Sequence, residues 1–363
     1  MSQSLKIFLL IFFIAFINLV IVFLLFGIQE DRDTGTYINV INYFAGKPHD
    51  ELHLGRIIKP LAPLVAAPFE PFLGAKNSLI FENILFYFAA AFLIFKITDL
   101  IYRNKKQAIF SVIIFVSSYS VIRWGLAALT DMSGWFFFIL SIYLTLLFLR
   151  KRDIRLIWLN GFLSGAGLLF KETGAMGALF FILVLVIFSE FFWKEKARYA
   201  FNYFLAFGIP VFSASLFIYW KFHYSFIDWF IYAEEVKIHY GFKRSLLYFF
   251  ENIFSLMFFG WFFVLRGAYK EFKYSNSRRT KILLSFIIPS LSFIVWPFKV
   301  VRLMFIAGPL LSILASRGLI FKSRIKQFLG YAALGFIVIF NFLFPKVFNL
   351  SYFQDFIDNY LHL

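Results

Sequence analysis

The chain has 363 residues, of which 61% are hydrophobic, 23% aromatic and only 15% charged, with a formal net charge of +16. A soluble domain carries about 25% charged residues, so this composition excludes an ordinary soluble enzyme and points to a polypeptide built for lipid. There is no Cys, which rules out disulfides and thiolate metal sites. The surplus of Lys and Arg fits the cytoplasmic loops of a membrane protein better than a nucleic-acid partner.

From Ile7 to Ile28 the chain carries no charged residue. The run exceeds the roughly 7–15 apolar residues of a secretory signal and ends at Ile28-Gln29-Glu30 rather than in small residues. It is read as a retained first transmembrane helix. Crossing a hydrocarbon core of about 30 Å takes about 20 mostly apolar residues. Runs of that kind lie at 7–28, 79–101, 108–122, 132–149, 156–170, 174–192, 200–220, 246–265, 282–297, 303–321 and 327–345. The expectation is therefore an all-α polytopic membrane protein of about eleven spans, forming a single domain over 1–363.

Two connections are long, 29–78 and 221–245. In the first, Tyr37, Ile38, Ile41 and Phe44 share one helical face, which predicts an amphipathic helix lying along the membrane surface. Pro48, Pro60, Pro63, Pro68 and Pro71 then interrupt any longer helix. The second connection is read as another interfacial segment, with Trp229, Phe230 and Tyr232 at the headgroups.

Charge sets the orientation. The short connections near Arg103–Lys106, Arg150–Arg155, Lys194–Arg198, Arg266–Lys281 and Arg317–Lys326 hold twenty basic residues and few acids. Most acids, from Glu30, Asp31 and Asp33 through Asp131 and Glu172 to Asp355 and Asp358, fall on the alternate connections. By the positive-inside rule the first set is cytoplasmic, so the N-terminus is expected inside and the C-terminus outside.

Charges at a membrane edge are costly and tend to mark sites. On the outer side the candidates are Asp31, Asp33, Arg56, Lys59, Arg123, Asp131, Lys171, Glu172, Lys299 and Arg302. Each also has a structural reading. Asp33 and Asp131 stand where helix N-caps would, Arg56 and Lys59 could snorkel to the interface, and Lys171-Glu172 could form a local salt bridge. His49 and His53 are four apart, but His-Asp-Glu-Leu-His is not the zinc-protease order.

Taken together, these segments resemble the membrane-embedded GT-C glycosyltransferases, of the protein mannosyltransferase and aminoarabinose transferase type. "DTGTY" (Asp33 to Tyr37) looks like the family's Asp-x-x-x-Tyr at the start of the first outer loop. "RIIKPLAPLVAAPF" (Arg56 to Phe69) is similar to the Arg–aromatic–Pro-Leu–Pro segment before span 2, with Lys59 in place of the aromatic. "ALTDMSGWFFFIL" (Ala128 to Leu140) resembles the Thr-acid step of span 4, and "FKETG" (Phe170 to Gly174) the Lys-Glu turn. "RLMFIAGPLLSIL" (Arg302 to Leu314) looks like the late Arg-Tyr…Pro helix, with Leu303 for Tyr.

The resemblance implies transfer of a sugar from a polyprenyl-phosphate donor to a hydroxyl of a glycan, lipid or protein acceptor. It places the reaction on the outer face of a bacterial inner membrane, with inversion. Asp33 would be the base, with partial desolvation raising its pKa, and Asp31 the fallback. Arg56, Lys171 and Arg302 would stabilise the leaving phosphate, Asp131 would orient a cation or bind a sugar hydroxyl, and Tyr37, Lys59 and Glu172 would line the site. The family also leaves room for a divalent metal between Asp33 and Asp131, which nothing in the sequence requires. The chain is shorter than many members, from which a small acceptor or a partner subunit is expected.

Two rivals are a lipid-linked saccharide flippase and an O-antigen polymerase-like protein. The first predicts internal repeats and mid-membrane charge, and the second a large late loop. The charges here sit at span ends, no repeat is evident, and the longest loop follows span 1.

Overall fold

A computed structural model describes residues 3–31, 33–188, 190–239, 246–274, 276–294 and 301–347. Among them the chain is helical, without strands. In chain order the helices are α1 (Gln3–Phe26), α2 (Thr34–Phe44), the short α3 (Leu54–Ile57), α4 (Leu61–Ala66) and α5 (Glu70–Leu73), then α6 (Ala75–Tyr102) and α7 (Lys105–Val116). They continue with α8 (Asp131–Lys151), α9 (Ile154–Phe170), α10 (Met176–Ile187), α11 (Trp193–Phe222) and α12 (Phe226–His239). The last are α13 (Leu246–Ser255), α14 (Gly260–Lys273), α15 (Ser277–Ser290), α16 (Val301–Met304), α17 (Gly308–Leu319) and α18 (Arg324–Val347).

Among the described residues six helical segments are long and apolar enough to cross a membrane: Gln3–Phe26, Ala75–Tyr102, Asp131–Lys151, Trp193–Phe222, Arg302–Leu319 and Arg324–Leu343. The other five runs predicted as spans correspond to shorter helices. The 246–265 run is split between α13 and α14, and α10 is only 12 residues long. Membrane-length helices are thus fewer than the eleven predicted, because an apolar run need not be one continuous helix when neighbouring helices cover its ends.

The helix stops are encoded locally. α6, α8 and α11 each end on a polar residue in the left-handed region, Arg103 (φ 52°), Arg152 (φ 58°) and His223 (φ 50°), a common helix terminator. Close helix packing comes from small residues. A Cβ on Gly161 of α9 would lie 2.2 Å from Tyr203 O of α11, and one on Gly165 2.3 Å from Phe207 O.

Buried polar groups tie the bundle together where lipid offers no partners. Asn18 of α1 donates to Tyr87 Oη (3.0 Å) and Val116 O (2.7 Å), joining α1, α6 and α7. Asn83 of α6 donates to Ala127 O (2.8 Å) and Leu129 O (2.7 Å), fixing the turn that delivers α8. Behind α16, Phe305 packs against Trp135 (4.6 Å between centroids) and Phe115 (5.8 Å).

The connections segregate to two ends. At one end Arg152 meets Glu190, and Arg279 and Arg317 share Glu271. The α8–α9, α10–α11, α14–α15 and α17–α18 connections therefore lie together, as the charge alternation predicts. The long first connection gathers at the opposite end with residues 126–131, 171–172 and 302.

α2 forms over the predicted stretch but is not a surface helix alone. Tyr37 and Ile41 pack with Ala66, Ala75 and Leu79, while Val40 packs on Ile57, Ile58 and Ile218. Trp229 of α12 packs on the first loop, its ring 4.5 Å from Lys59 Nζ. Residues 240–245 of the second long connection, and the proposed site residue Lys299, lie outside the described residues.

Candidate active site

The end of α1 and the start of α2 bring Asp31 and Asp33 beside Arg302, which arrives from α16, 269 positions from Asp33 in sequence. The Arg302 guanidinium spans both carboxylates, with Nη1 to Asp31 Oδ2 at 2.9 Å and Nη2 to Asp33 Oδ2 at 2.7 Å. The other Asp33 oxygen accepts from Arg56 Nη2 at 2.9 Å. Asp33 holds the N-cap position of α2, yet its side chain makes no cap hydrogen bond. Its carboxylate is given to the two arginines, which sets the capping reading aside.

Tyr37 secures Arg56. The guanidinium carbon stands 4.6 Å from the Tyr37 ring centre, and Nη1 donates to the Tyr37 hydroxyl at 3.1 Å. Arg56 Nε donates to Thr36 Oγ1 at 3.2 Å, and Thr130 Oγ1 donates to Tyr37 Oη at 3.0 Å. Thr34 Oγ1 donates to Ala128 O (3.2 Å), and Ala128 N to Gln29 O (3.1 Å). The turn before Asp131 is therefore stitched to the loop that carries Asp33.

Lys171 and Glu172 do not pair with one another. A bend between α9 and the turn at Glu172–Ala175 sends them apart: Lys171 Nζ pairs with Asp131, and Lys59 Nζ with Glu172. The expected local salt bridge is replaced by two bridges between distant elements. Asp131 is 1% exposed and opens α8 without capping it. It pairs with the Lys171 cation, and its Oδ2 is buried with no hydrogen-bond partner among the described residues.

The network thus joins Asp31, Asp33, Asp131 and Glu172 to Arg56, Lys59, Lys171 and Arg302, four anions to four cations. Burial works against the Asp33 charge, but Arg56, Arg302 and Lys171 outweigh it and hold its pKa below 3.8. Partial desolvation was expected to raise that pKa; the paired guanidiniums reverse the direction. Arg123 lies at the same end, bonded to Gln29 and stacked 4.7 Å over Trp124.

Among the described residues no three Asp, Glu or His side chains gather as metal ligands. Asp33 and Asp131 are each engaged by cationic side chains instead. His49 packs on Tyr43 and His53 on Tyr232, so the two histidines serve different aromatic partners.

A cavity of about 450 Å³ adjoins the network and is lined by Thr36, Glu51, His53, Gly55, Tyr224 and Tyr232 among others. Thr36 belongs to both, since its hydroxyl receives Arg56 and donates to Asp33 O at 2.7 Å. Among the described residues its lining contains no Lys or Arg. Burial, with the Arg56 charge close by, lowers the His53 pKa from 6.5 and favours neutral imidazole. Sequence reasoning did not assign these residues to a site; the excess of Tyr and His on both long connections was the available signal. It also passed over Glu82, an acid 2% exposed and about two turns inside α6.

Residues 64–220, from α4 to the end of α11, match the family model of dolichyl-phosphate-mannose-protein mannosyltransferase. The whole bundle matches the crystal structure of ArnT from Cupriavidus metallidurans bound to undecaprenyl phosphate, with a TM-score of 0.67 at 13% identity. That match covers 90% of this chain and 62% of the other. The chain has the GT-C fold. A second solved GT-C structure, the apo oligosaccharyltransferase of Archaeoglobus fulgidus, superposes with a TM-score of 0.63 at 12% identity, covering 94% of this chain and 55% of that one. The GT-C fold here therefore spans about three fifths of the length of these solved chains. No curated protein matches the sequence.

Proposed function

We propose that the chain is a glycosyltransferase that moves a sugar from a polyprenyl-phosphate carrier to an acceptor hydroxyl at the extracytoplasmic face. The observation that carries this reading is the placement of Asp33 between Arg56 and Arg302, a potential base held directly beside two potential phosphate ligands. The basic connections at the far end of the bundle favour that end as cytoplasmic, which puts the network outside. ArnT of the same fold was crystallised with undecaprenyl phosphate, in keeping with a lipid-linked donor.

In the free protein the charges balance, so a prenyl phosphate must compete with Asp31 and Asp33 for the guanidiniums. Arginine suits that exchange, because its planar fork matches phosphate as well as carboxylate. As the phosphate takes Arg56 and Arg302, the charges that depress the Asp33 pKa are shared and its basicity rises. The acceptor oxygen then attacks the anomeric carbon and its proton passes to Asp33. The bond from carbon to phosphate oxygen breaks with its electron pair, and prenyl phosphate leaves with its charge on Arg56, Arg302 and Lys171. Attack from the face opposite the leaving group gives inversion.

The cavity lined by Thr36, Glu51, His53, Tyr224 and Tyr232 opens beside Asp33 and offers hydroxyls, aromatic faces and one carboxylate, without cations among the described residues, which suits a hydroxyl-bearing acceptor free of negative charge. The test is a proteoliposome assay offered the same radiolabelled sugar either on undecaprenyl phosphate or on a nucleotide. Transfer from the lipid-linked donor alone is expected. Transfer from the nucleotide sugar alone would overturn the reading.

A further inference from the structure

The end of the bundle remote from the ion-pair network holds a larger cavity, of about 960 Å³. It is walled by the connection between α6 and α7, the last turns of α8 and the first turn of α15. Arg103, Lys105, Arg150, Arg278 and Arg279 line it, against a single acid among the described residues, Asp99. Arg279 is held by Glu271 at 2.5 Å, and Arg278 donates to Leu149 O at 3.0 Å. Arg103, Lys105 and Arg150 meet no carboxylate within ion-pair distance among the described residues.

Two helices start at the rim. Asn104 caps α7 by accepting from Gln107 N (3.0 Å), and Asn276 caps α15 by accepting from Arg279 N (3.2 Å), and both asparagines line the cavity. Each cap satisfies one of the free N–H groups of its helix, leaving others and the positive end of the dipole at the same opening. The deeper wall is apolar, with Leu146, Leu149 and Ile282 buried.

Basic loops on a cytoplasmic surface need no further explanation when they are solvated and spread apart. Arg103, Lys105, Arg150 and Arg278 are exposed, yet they converge on one hollow whose floor is buried and apolar, so their like charges repel across it. An anion in the hollow would relieve it, and a tetrahedral oxyanion matches both the guanidiniums and the helix N-termini.

We propose that this cavity is a binding site for a phosphate-bearing anion, separate from the candidate active site, and that occupancy clamps the three connections that wall it. The apolar wall suits the headgroup and first methylenes of an acidic phospholipid, and a free phosphate shares the same polar contacts. The site does not depend on the proposed transferase reaction.

The test uses the full chain in neutral detergent, reading the thermal unfolding midpoint during titration with phosphatidylglycerol, phosphatidylcholine, inorganic phosphate and pyrophosphate. One variant is Arg103→Gln/Lys105→Gln/Arg150→Gln. A control, Lys194→Gln/Lys322→Gln/Lys326→Gln, removes equal charge from exposed positions of the same end outside the cavity. Phosphatidylglycerol should raise the wild-type midpoint and phosphatidylcholine should not. The half-saturating concentration should rise at least about tenfold in the cavity variant and stay unchanged in the control. Stabilisation by phosphatidylglycerol alone identifies a lipid headgroup, and equal stabilisation by the inorganic probes identifies a free phosphate. Equal weakening of both variants, weakening of neither, or no stabilisation by any phosphate probe would overturn the site.

Discussion

The two ends of the bundle hold ionic side chains in opposite ways. At the α2 end four acids meet four bases in pairs drawn from separate elements. At the other end the bases outnumber the acids, and Glu271 serves two arginines. Buried ion pairs return little net stability, because desolvation offsets the attraction. A balanced, half-buried network is therefore poorly explained by stability, and better explained as a site poised to exchange one anion for another. The excess at the far end is what the positive-inside rule expects of a cytoplasmic side.

The largest expected effect comes from breaking a single buried partner. Asp131→Asn leaves Lys171, itself 8% exposed, charged and unpaired, and should destabilise by about 3–5 kcal/mol in detergent unfolding measurements. Combining it with Lys171→Met should restore much of the midpoint without restoring transfer. Next, Arg302→Gln removes the guanidinium shared by Asp31 and Asp33 and should slow transfer by about 10²- to 10³-fold, the cost of losing one preorganised donor to a developing anion. Unfolding midpoints check that the protein remains folded.

At the opposite end, Glu271→Gln should lower stability by about 1–3 kcal/mol while leaving the transfer rate unchanged. A large loss of transfer there would erase the distinction between the two ends.

The smallest effect is a pH dependence. The Asp33 pKa is lowered from 3.8 by its arginines, so its contribution to stability is fully present above that ordinary value. It is lost as the pH falls through the lowered folded-state pKa. The midpoint difference between wild type and Asp33→Asn should accordingly stay constant from about pH 8 to 5 and shrink below about pH 4.

Much of this was legible in the sequence because charge is rare in the chain. Arg56 and Arg302 stand out among apolar neighbours and Asp33 sits in the acidic cluster that ends the first apolar run, and their assignment to one membrane face followed from counting Lys and Arg along the connections. Pairing was not legible. Lys171 and Glu172 are adjacent, yet a sharp bend sends one to Asp131 and the other to Lys59. Nor does the sequence show that Trp229 meets Lys59. The direction of the Asp33 shift was missed for the same reason: burial is visible in a pattern, whereas a guanidinium arriving 269 residues later is not. The count of eleven spans is not matched by membrane-length helices among the described residues, where apolar runs such as 246–265 divide into two short helices.

The most direct test of the central claim is single-turnover transfer from undecaprenyl-phosphate-linked sugar in liposomes, comparing wild type with Asp33→Asn while donor binding is measured in the same vesicles. A rate at least about 10²-fold lower with the donor still bound is expected for a missing general base. Transfer at the wild-type rate by Asp33→Asn would contradict the account.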